Sequence, residues 1–489
     1  MAVDYNLVIL GGSPEARYAA EVAARRHVRV ALVEPAAGVT HGLWGDAMRI
    51  HTLQNLMGVC RQGQQARAAG LHWGDASAQP ELKPAMGWRW AETLAHQQTE
   101  WRSLTTLTSI GVDVVVGQGI FQAQPYLGVV VNGRVLRSTA YLLAPGSHPA
   151  PPAIPGLDRA DYLTVEQFQQ PDGLVSWPEH LFVVGDAIQA VELAQLCRRL
   201  GMQVTLVVSS PQLLPTEDAD AAARVRFHLE AEGVQIMPHA AITQVRSLDG
   251  KVWMQVGNRA IAADQLLMAT DPQANLEGLA LESLGLAKDR AGLRVDRLLR
   301  TSHPRIFACG AAIDAYPFAN VARYEAAIAV HNALSPIGPL RQRVSYRTVP
   351  WLIGTDPPLA RVGLTEAAAR QQYGADVIAV QQSFQPLDQA QISRETTGWC
   401  KLLTRRDGTL LGGHIVSSQA GELIGAIALA LQQSAKITAF SRITYAHPSF
   451  TEVLGEMAIA WERERSRQRS GRLNLWETFY NWQRDWDNG

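Results

Sequence analysis

Two stretches of the chain read alike, and their likeness constrains the fold more than any other feature. An apolar strand, Asn6 to Leu10, runs into Gly11-Gly12-Ser13-Pro14-Glu15-Ala16; an Ala-rich helix follows, and a second strand, Val28 to Val33, ends at Glu34. The order returns later, with strand Leu181–Val184, Gly185-Asp186-Ala187-Ile188-Gln189-Ala190, a helix to Leu200, and strand Gln203–Val208. Gly11 to Glu34 and Gly185 to Val208 are both spacings of 23 residues. This is the order of a dinucleotide-binding βαβ unit: the glycine permits a tight turn, a small residue lets helix and sheet pack closely, and pyrophosphate caps the helix N-terminus. Two copies predict an α/β protein with two Rossmann-like domains.

The copies differ in chemistry. Glu34 stands where an acid takes the ribose hydroxyls. Ser13 replaces the middle glycine, and its Cβ is expected to crowd the phosphates. In the second copy the small positions are Ala187 and Ala190, and Asp186 places a carboxylate where a pyrophosphate would lie. Because a helix N-terminus favours an anion, the Asp186 side chain is expected to take that place itself. Val208, followed by Ser209 and Ser210, occupies the ribose position, where NAD wants an acid and NADP an arginine. The second copy is expected to keep the fold and lose the cofactor.

Composition narrows the class. Apolar residues make up 47% and charged residues 18% of 489, which fits a large core and argues against disorder. A net charge of −1 gives no field to attract nucleic acid or anionic lipid. No apolar run approaches the roughly 18 residues of a membrane span, and the N-terminus shows no basic n-region or cleavage site. A soluble, intracellular, cytoplasmic protein is expected. Cys60, Cys197, Cys309 and Cys400 lie far apart, and the 13 histidines are scattered, so neither a disulfide framework nor a metal site is expected.

Further segments carry a family resemblance. Leu143-Ala144-Pro145-Gly146-Ser147-His148-Pro149 and Ile154-Pro155-Gly156 separate the two units. Thr301-Ser302-His303-Pro304-Arg305-Ile306-Phe307-Ala308-Cys309-Gly310 follows, then Val362-Gly363-Leu364-Thr365-Glu366, Gly412-Gly413-His414-Ile415-Val416, and Ala446-His447-Pro448-Ser449-Phe450-Thr451-Glu452. In this order, over about residues 5 to 457, the chain resembles the pyridine nucleotide–disulfide oxidoreductases, which include dihydrolipoamide dehydrogenase, glutathione reductase and mercuric reductase. The resemblance implies an FAD-binding domain in residues 1–149 and a degenerate NAD(P)-binding domain in 150–272. The FAD domain would resume in 273–342, followed by an α+β dimerisation domain in 343–460 and an Arg/Trp-rich extension in 461–489. It implies FAD held by Gly11, Ser13, Pro14, Ala16, Glu34, Ala144, Gly146, Ser147, Gly310, Ala311, Phe318 and Ala319. It also implies a homodimer in which His447 and Glu452 of one subunit complete the other's active site.

The redox centre departs from the family. Its paired cysteines would fall on Leu43 and Met48, neither of which forms a thiolate or a mixed disulfide. The family lysine falls on Thr52 while its glutamate partner is kept as Glu192; Arg49 or His51 is expected to move in, with Arg49 preferred. The ribitol-binding aspartate is Ala311, which weakens FAD binding without refuting it. Trp44 is placed either to stack over the flavin or to plug the pocket. His447 is read either as a proton donor or acceptor at the flavin face or, by preference, as part of the dimer interface.

The tail carries Arg463, Arg465, Arg467, Arg469 and Arg472, then Trp476, Phe479, Tyr480, Trp482 and Trp486. That pattern suits nucleic acid, a membrane surface or a protein partner, and most plainly a helix on its own domain. The leading expectation is a flavin oxidoreductase that takes electrons from something other than NAD(P)H, for instance a docking protein, and passes them to a quinone, a metal ion or another small oxidant. The alternatives are a non-catalytic scaffold and a cysteine-independent NAD(P)H oxidase or transhydrogenase.

Overall fold

A computed structural model describes residues 3–35, 43–68, 70–71, 82–170, 177–289, 292–313, 316–335 and 337–467. The chain divides into two units, residues 1–214 with 229–345, and residues 215–228 with 346–489.

The first unit holds the two βαβ copies, each at the centre of a five-stranded parallel sheet. The first sheet runs Ile306–Ala308, Ser138–Leu143, Tyr5–Leu10, Val30–Glu34, Asp113–Val116. The second runs Gln235–Met237, Gln203–Val207, His180–Val184, Gln265–Met268, Tyr162–Thr164. The central strands are nearly continuous apolar runs because both faces are covered. Leu7 and Ile9 of the first strand pack on Ala16, Ala19, Ala20 and Ala23 of the Pro14–Ala24 helix. Val8 and Leu10 face the other way, onto Val129, Val131 and Tyr141. Alanines on the helix's inner face let it lie close to the sheet, which places its N-terminus over the strand ends. In the second copy Phe182 and Val184 pack on Val245, Val252 and Met254, from a three-stranded antiparallel sheet over residues 242–263.

The second unit is a five-stranded antiparallel sheet in the order Trp351–Ile353, Leu359–Gly363, Leu410–Val416, Trp399–Arg405, Val377–Ser383. The helices Ala420–Gln432 and Glu452–Arg467 complete its core, with Ile424, Ile427, Met457 and Trp461 buried among the strand residues. Trp461 therefore belongs to this core, with the Arg465 guanidinium 5.1 Å from its ring centroid, and the expected extension begins as the last turns of a packed helix. The remaining arginines and aromatics of the tail, from Arg469 onward, lie outside the described residues.

One polar knot sits in this apolar setting. Lys401, 1% exposed in the middle of its strand, donates from Nζ to Asp218 Oδ1 at 2.9 Å and Asp220 Oδ2 at 2.8 Å, and lies 2.6 Å from Glu366 Oε2. Burial opposes its charge, but Asp220, Glu366 and Asp218 together raise its pKa. Its cross-strand neighbour His414 is fully buried; Nε2 donates to the Leu364 carbonyl at 3.1 Å and Nδ1 has no hydrogen-bond partner. Burial pushes this imidazole down to about 4, with Arg361 and Lys401 adding to the push and Asp218 opposing it.

Two consequences are testable by chemical unfolding. Lys401→Met strands the buried Asp218 without its cation and is expected to destabilise the protein by about 3–5 kcal/mol. His414 binds no proton in the folded protein near pH 5, whereas the unfolded chain binds one. Its contribution is therefore complete above pH 6.5 and is lost as the pH falls towards about 4. His414→Gln is expected to remove roughly 3 kcal/mol of that acid sensitivity.

Candidate functional site

The first glycine turn is built by a backbone crossing. Gly11 holds φ +135°, and a Cβ there would lie 2.0 Å from the Ala144 carbonyl oxygen. Only glycine admits that approach. Ser13 has turned inward rather than toward a ligand: it is fully buried, caps the Pro14–Ala24 helix by accepting from Ala16 N–H at 3.3 Å, and donates to the Ala144 carbonyl at 2.8 Å. Its hydroxyl thus stitches the turn to the neighbouring strand, a use that the reading of a crowded phosphate site did not foresee. Pro14 takes the first helical position and Ala16 is buried against the sheet.

Glu34 ends its strand 5% exposed and is paired with Arg17, which contacts it from Nη2 and, at 3.3 Å, from Nε. A Cβ on Gly12 would stand 3.2 Å from the Glu34 side chain, so the acid lies directly against the turn. Gly146, at φ +74°, accepts from Asn275 N–H at 3.0 Å, and the short strand Ser147–His148 pairs with Gln273–Ala274. Asn275 also donates to the Pro145 carbonyl at 3.2 Å and accepts from His148 Nδ1 at 2.6 Å.

A cavity of about 460 Å³ opens beside this turn, bounded by Gly11, Val33, Pro35, Gly117, Gln118, Gly119, Pro145, His148 and Asn275. It falls in the size range of ligand pockets, about 300–1,000 Å³. The structure therefore adds Gly117–Gly119 and Asn275 to the candidate residues. Gly117, at φ +151°, is a Gly-x-Gly at a strand end, a signal present in the sequence and passed over. Of the residues expected to hold FAD, Gly11 lines this cavity itself, while Ala144 and Gly146 flank its Pro145 and Glu34 lies between its Val33 and Pro35.

The remaining FAD candidates gather at the edge of the same sheet. Gly310 follows its strand at φ +64° and donates to Glu325 Oε2 at 2.8 Å. Ala311 is half-buried, and Phe318 and Ala319 open the Ala319–Leu334 helix. Gly310 also packs against Glu15, a carboxyl in the first glycine turn to which the sequence reading gave no role.

The second turn repeats the crossing with different side chains. Gly185 holds φ +151°, and its Cβ would lie 2.0 Å from the Ala269 carbonyl. Asp186, however, does not occupy the start of the Ile188–Arg199 helix. Its carboxylate reaches across to the end of the next strand, accepting from Ser209 N–H at 3.2 Å, Ser210 N–H at 3.1 Å and the Ser209 hydroxyl. Backbone N–H groups in a turn are good carboxylate donors and outcompete the helix start, where Ala187 offers no side-chain cap. Val208 is 1% exposed. Asp271, beyond the adjacent strand, has its carboxyl raised by burial and by the nearby Asp186 charge.

Along the Leu43–Ala68 helix the expected cation exchange is different from the one preferred. Arg49 turns to Glu92, donating from Nη2 to Oε1 at 3.2 Å. It is His51 that faces Glu192, Nε2 to Oε1 at 3.4 Å, with Gln54 donating to the Glu192 carbonyl at 3.2 Å. Burial disfavours the His51 imidazolium, but the hydrogen bond and charge of Glu192 outweigh it and raise its pKa. Thr52 spends its hydroxyl on the Met48 carbonyl. Met48 is half-buried, while the side chains of Leu43 and Trp44 lie outside the described residues.

In the second unit His447 and Glu452 form a pair. His447 Nδ1 donates to Glu452 Oε1 at 2.9 Å, Glu452 Oε2 accepts from Ser449 N–H at 3.1 Å, and His447 Nε2 lies 3.5 Å from Asp388. His447 is exposed, and its pKa is raised by the hydrogen bond and charge of Glu452. All four cysteines are free. Among the described residues no cluster of side chains could hold a metal ion, and no helix is long and apolar enough to cross a membrane.

Comparison with known proteins agrees with this frame. Mercuric reductase of Staphylococcus aureus is 30% identical over 476 residues, 95% of this chain and 84% of that protein. An NAD(P)H dehydrogenase (quinone) of Mycobacterium tuberculosis is 30% identical over 475 residues, 93% of each. The crystal structure of LpdA from Mycobacterium tuberculosis superposes with a TM-score of 0.82 at 26% identity, covering 93% of this chain and 99% of that one. Residues 5–326 match the model of the pyridine nucleotide-disulphide oxidoreductases and residues 349–458 match that family's dimerisation domain. The chain belongs to the pyridine nucleotide-disulphide oxidoreductases, a family of FAD-binding flavoproteins.

Proposed function

We propose that the chain is a homodimeric FAD-dependent oxidoreductase that works without a cysteine pair and draws electrons from a donor other than NAD(P)H. The observation that carries this reading is the Asp186 tie. A carboxylate bound to Ser209 and Ser210 closes the turn where a pyridine nucleotide would set its ribose, and places negative charge beside an expected diphosphate. Leu43 and Met48, at the positions of the family's paired cysteines, supply no thiol chemistry. A docking protein is the favoured donor.

FAD, held by the Gly11–Ala16 turn, Glu34 and the Gly146 segment, supplies the electron transfer itself. Among acceptors suggested by the relatives, a quinone suits this chain better than a mercuric ion. Soft cations seek thiolates, and the four cysteines of this chain are free and far apart in sequence. His447, oriented by Glu452 and more basic than an ordinary histidine, would hold the proton a reduced quinone needs. The family arrangement would present it to the flavin of the other subunit.

The donor claim is tested by anaerobic titration of the purified protein with NADH and NADPH, following the visible flavin band. A persistent oxidised spectrum is expected, whereas rapid bleaching would restore the pyridine-nucleotide oxidase or transhydrogenase reading. Absence of a flavin band would favour the scaffold. Asp186→Gly with Ala187→Gly should open the turn and speed bleaching by NADH about tenfold or more, a change of about 1.4 kcal/mol.

The proton role is read from the pH dependence of quinone reduction by the pre-reduced protein in single turnovers. The rate should fall as the pH rises past the His447 pKa, and Glu452→Gln should move that limb to lower pH. A limb unmoved by Glu452→Gln would leave His447 a structural part of the interface.

A further inference from the structure

The turn that opens the first dinucleotide unit carries a carboxyl that neither the fold nor the electron path uses. Glu15 is the second residue of the Pro14–Ala24 helix and is only 7% exposed. Its carboxyl turns back on the helix start, where its own backbone N–H and the Ser13 side chain favour its ionised form. Burial outweighs both and raises its pKa. On its other side it meets Gly310, where a Cβ would lie 2.7 Å from Glu15 Oε1.

The surroundings are anionic. Gly310 N–H is bonded to Glu325, 1% exposed on the Ala319–Leu334 helix. The buried Cys309 thiol is pushed well above its ordinary range by burial and then by the charges of Glu15 and Glu325. From the second strand Glu34 faces the turn, with Arg17 bound to it. None of these groups supplies a free cation to Glu15. Ala311, where the family resemblance implies an aspartate, adds no charge.

A helix start of this kind is where a dinucleotide's anionic diphosphate lies. An ionised carboxylate in the same water-poor place would repel it with little screening. A protonated carboxyl would instead donate to a phosphate oxygen, a charge-assisted hydrogen bond of the stronger kind. We propose that Glu15 takes up a solvent proton when FAD binds and donates it in a hydrogen bond to the cofactor's diphosphate, so that the chain holds FAD more tightly as the pH falls. No covalent bond to FAD forms or breaks. The inference rests on FAD occupying the family's phosphate position and is independent of the donor or acceptor.

The test uses the full-length chain stripped of flavin and titrated with FAD between about pH 5.5 and 8.5, following quenching of flavin fluorescence. Calorimetry in two buffers of different ionisation heat counts the protons. Affinity is expected to weaken by up to about tenfold per pH unit wherever the free Glu15 is ionised, with close to one proton taken up per FAD at the alkaline end. Glu15→Gln should bind FAD with an affinity that no longer changes with pH and exceeds that of the unmodified chain at the alkaline end. A flat wild-type profile without proton uptake would overturn the proposal, as would an unchanged slope in Glu15→Gln, which would move the titration to Glu325. If Glu15→Gln does not fold, Glu325→Gln replaces it: a slope and proton count kept in that variant support Glu15, and their loss overturns the proposal. Failure to bind FAD at any pH would overturn the cofactor assignment, and this proposal with it.

Discussion

The close passage of two backbones at Gly11 and Ala144 is the constraint on which the cofactor frame depends. With a Cβ excluded at 2.0 Å, the first strand can turn directly under the neighbouring strand's end. The Ser13 hydroxyl then reaches the Ala144 carbonyl, the helix starts over the sheet, and Glu34 arrives beside the turn. The Asn275 bonds to Pro145 and Gly146 depend on the same crossing, because they read the backbone it positions. Gly185 and Ala269 repeat the crossing at the same distance, which explains how the second copy keeps the same architecture with different side chains at its turn. Backbone geometry and side-chain chemistry are thus separable: the crossing is common to both turns, while the side chains around it differ.

That separation also explains what could be read from the sequence. The two βαβ units were legible because strand, glycine turn and helix are local requirements. Their expected strands and helices lie within two residues of the observed ends. What escaped were partnerships made at a distance. Asp186 finds its donors 23 and 24 residues later, on a turn whose N–H groups the sequence does not announce. Arg49 and His51 sit two residues apart on one helix, and only the placement of the neighbouring helix at Glu92 and of Glu192 decides which takes which acid. Glu15 was visible as a letter, but its burial against Gly310 depends on a strand almost 300 residues further on. The FAD candidates from Gly11 to Ser147 are brought around one turn, while His447 and Glu452 form their pair in the other unit.

The second unit places its charge differently. Lys401 and the acids from residues 218, 220 and 366 form a connected set beside a largely apolar core. Such a set adds little net stability over an apolar replacement, yet it tolerates no partial loss. Its members come from sequence positions as far apart as 218 and 401, so it fixes which segments assemble here. The short stretch 215–228 is held in the unit by these ionic bonds together with Trp351 Nε1 donating to Glu217.

The cysteines carry a consequence of a different kind. Cys197, Cys309 and Cys400 are fully buried, and burial drives the thiols of Cys197 and Cys309 well above their ordinary value and pushes that of Cys400 up to about 12. The thiolate is the form that peroxides, electrophiles and heavy-metal ions attack. Three of the four sulfurs are therefore withheld from the reagents that disable thiol enzymes. Attack by oxidants and alkylating agents on the cysteines is thereby directed to the half-buried Cys60, whose single thiol becomes the place where such reagents leave their mark.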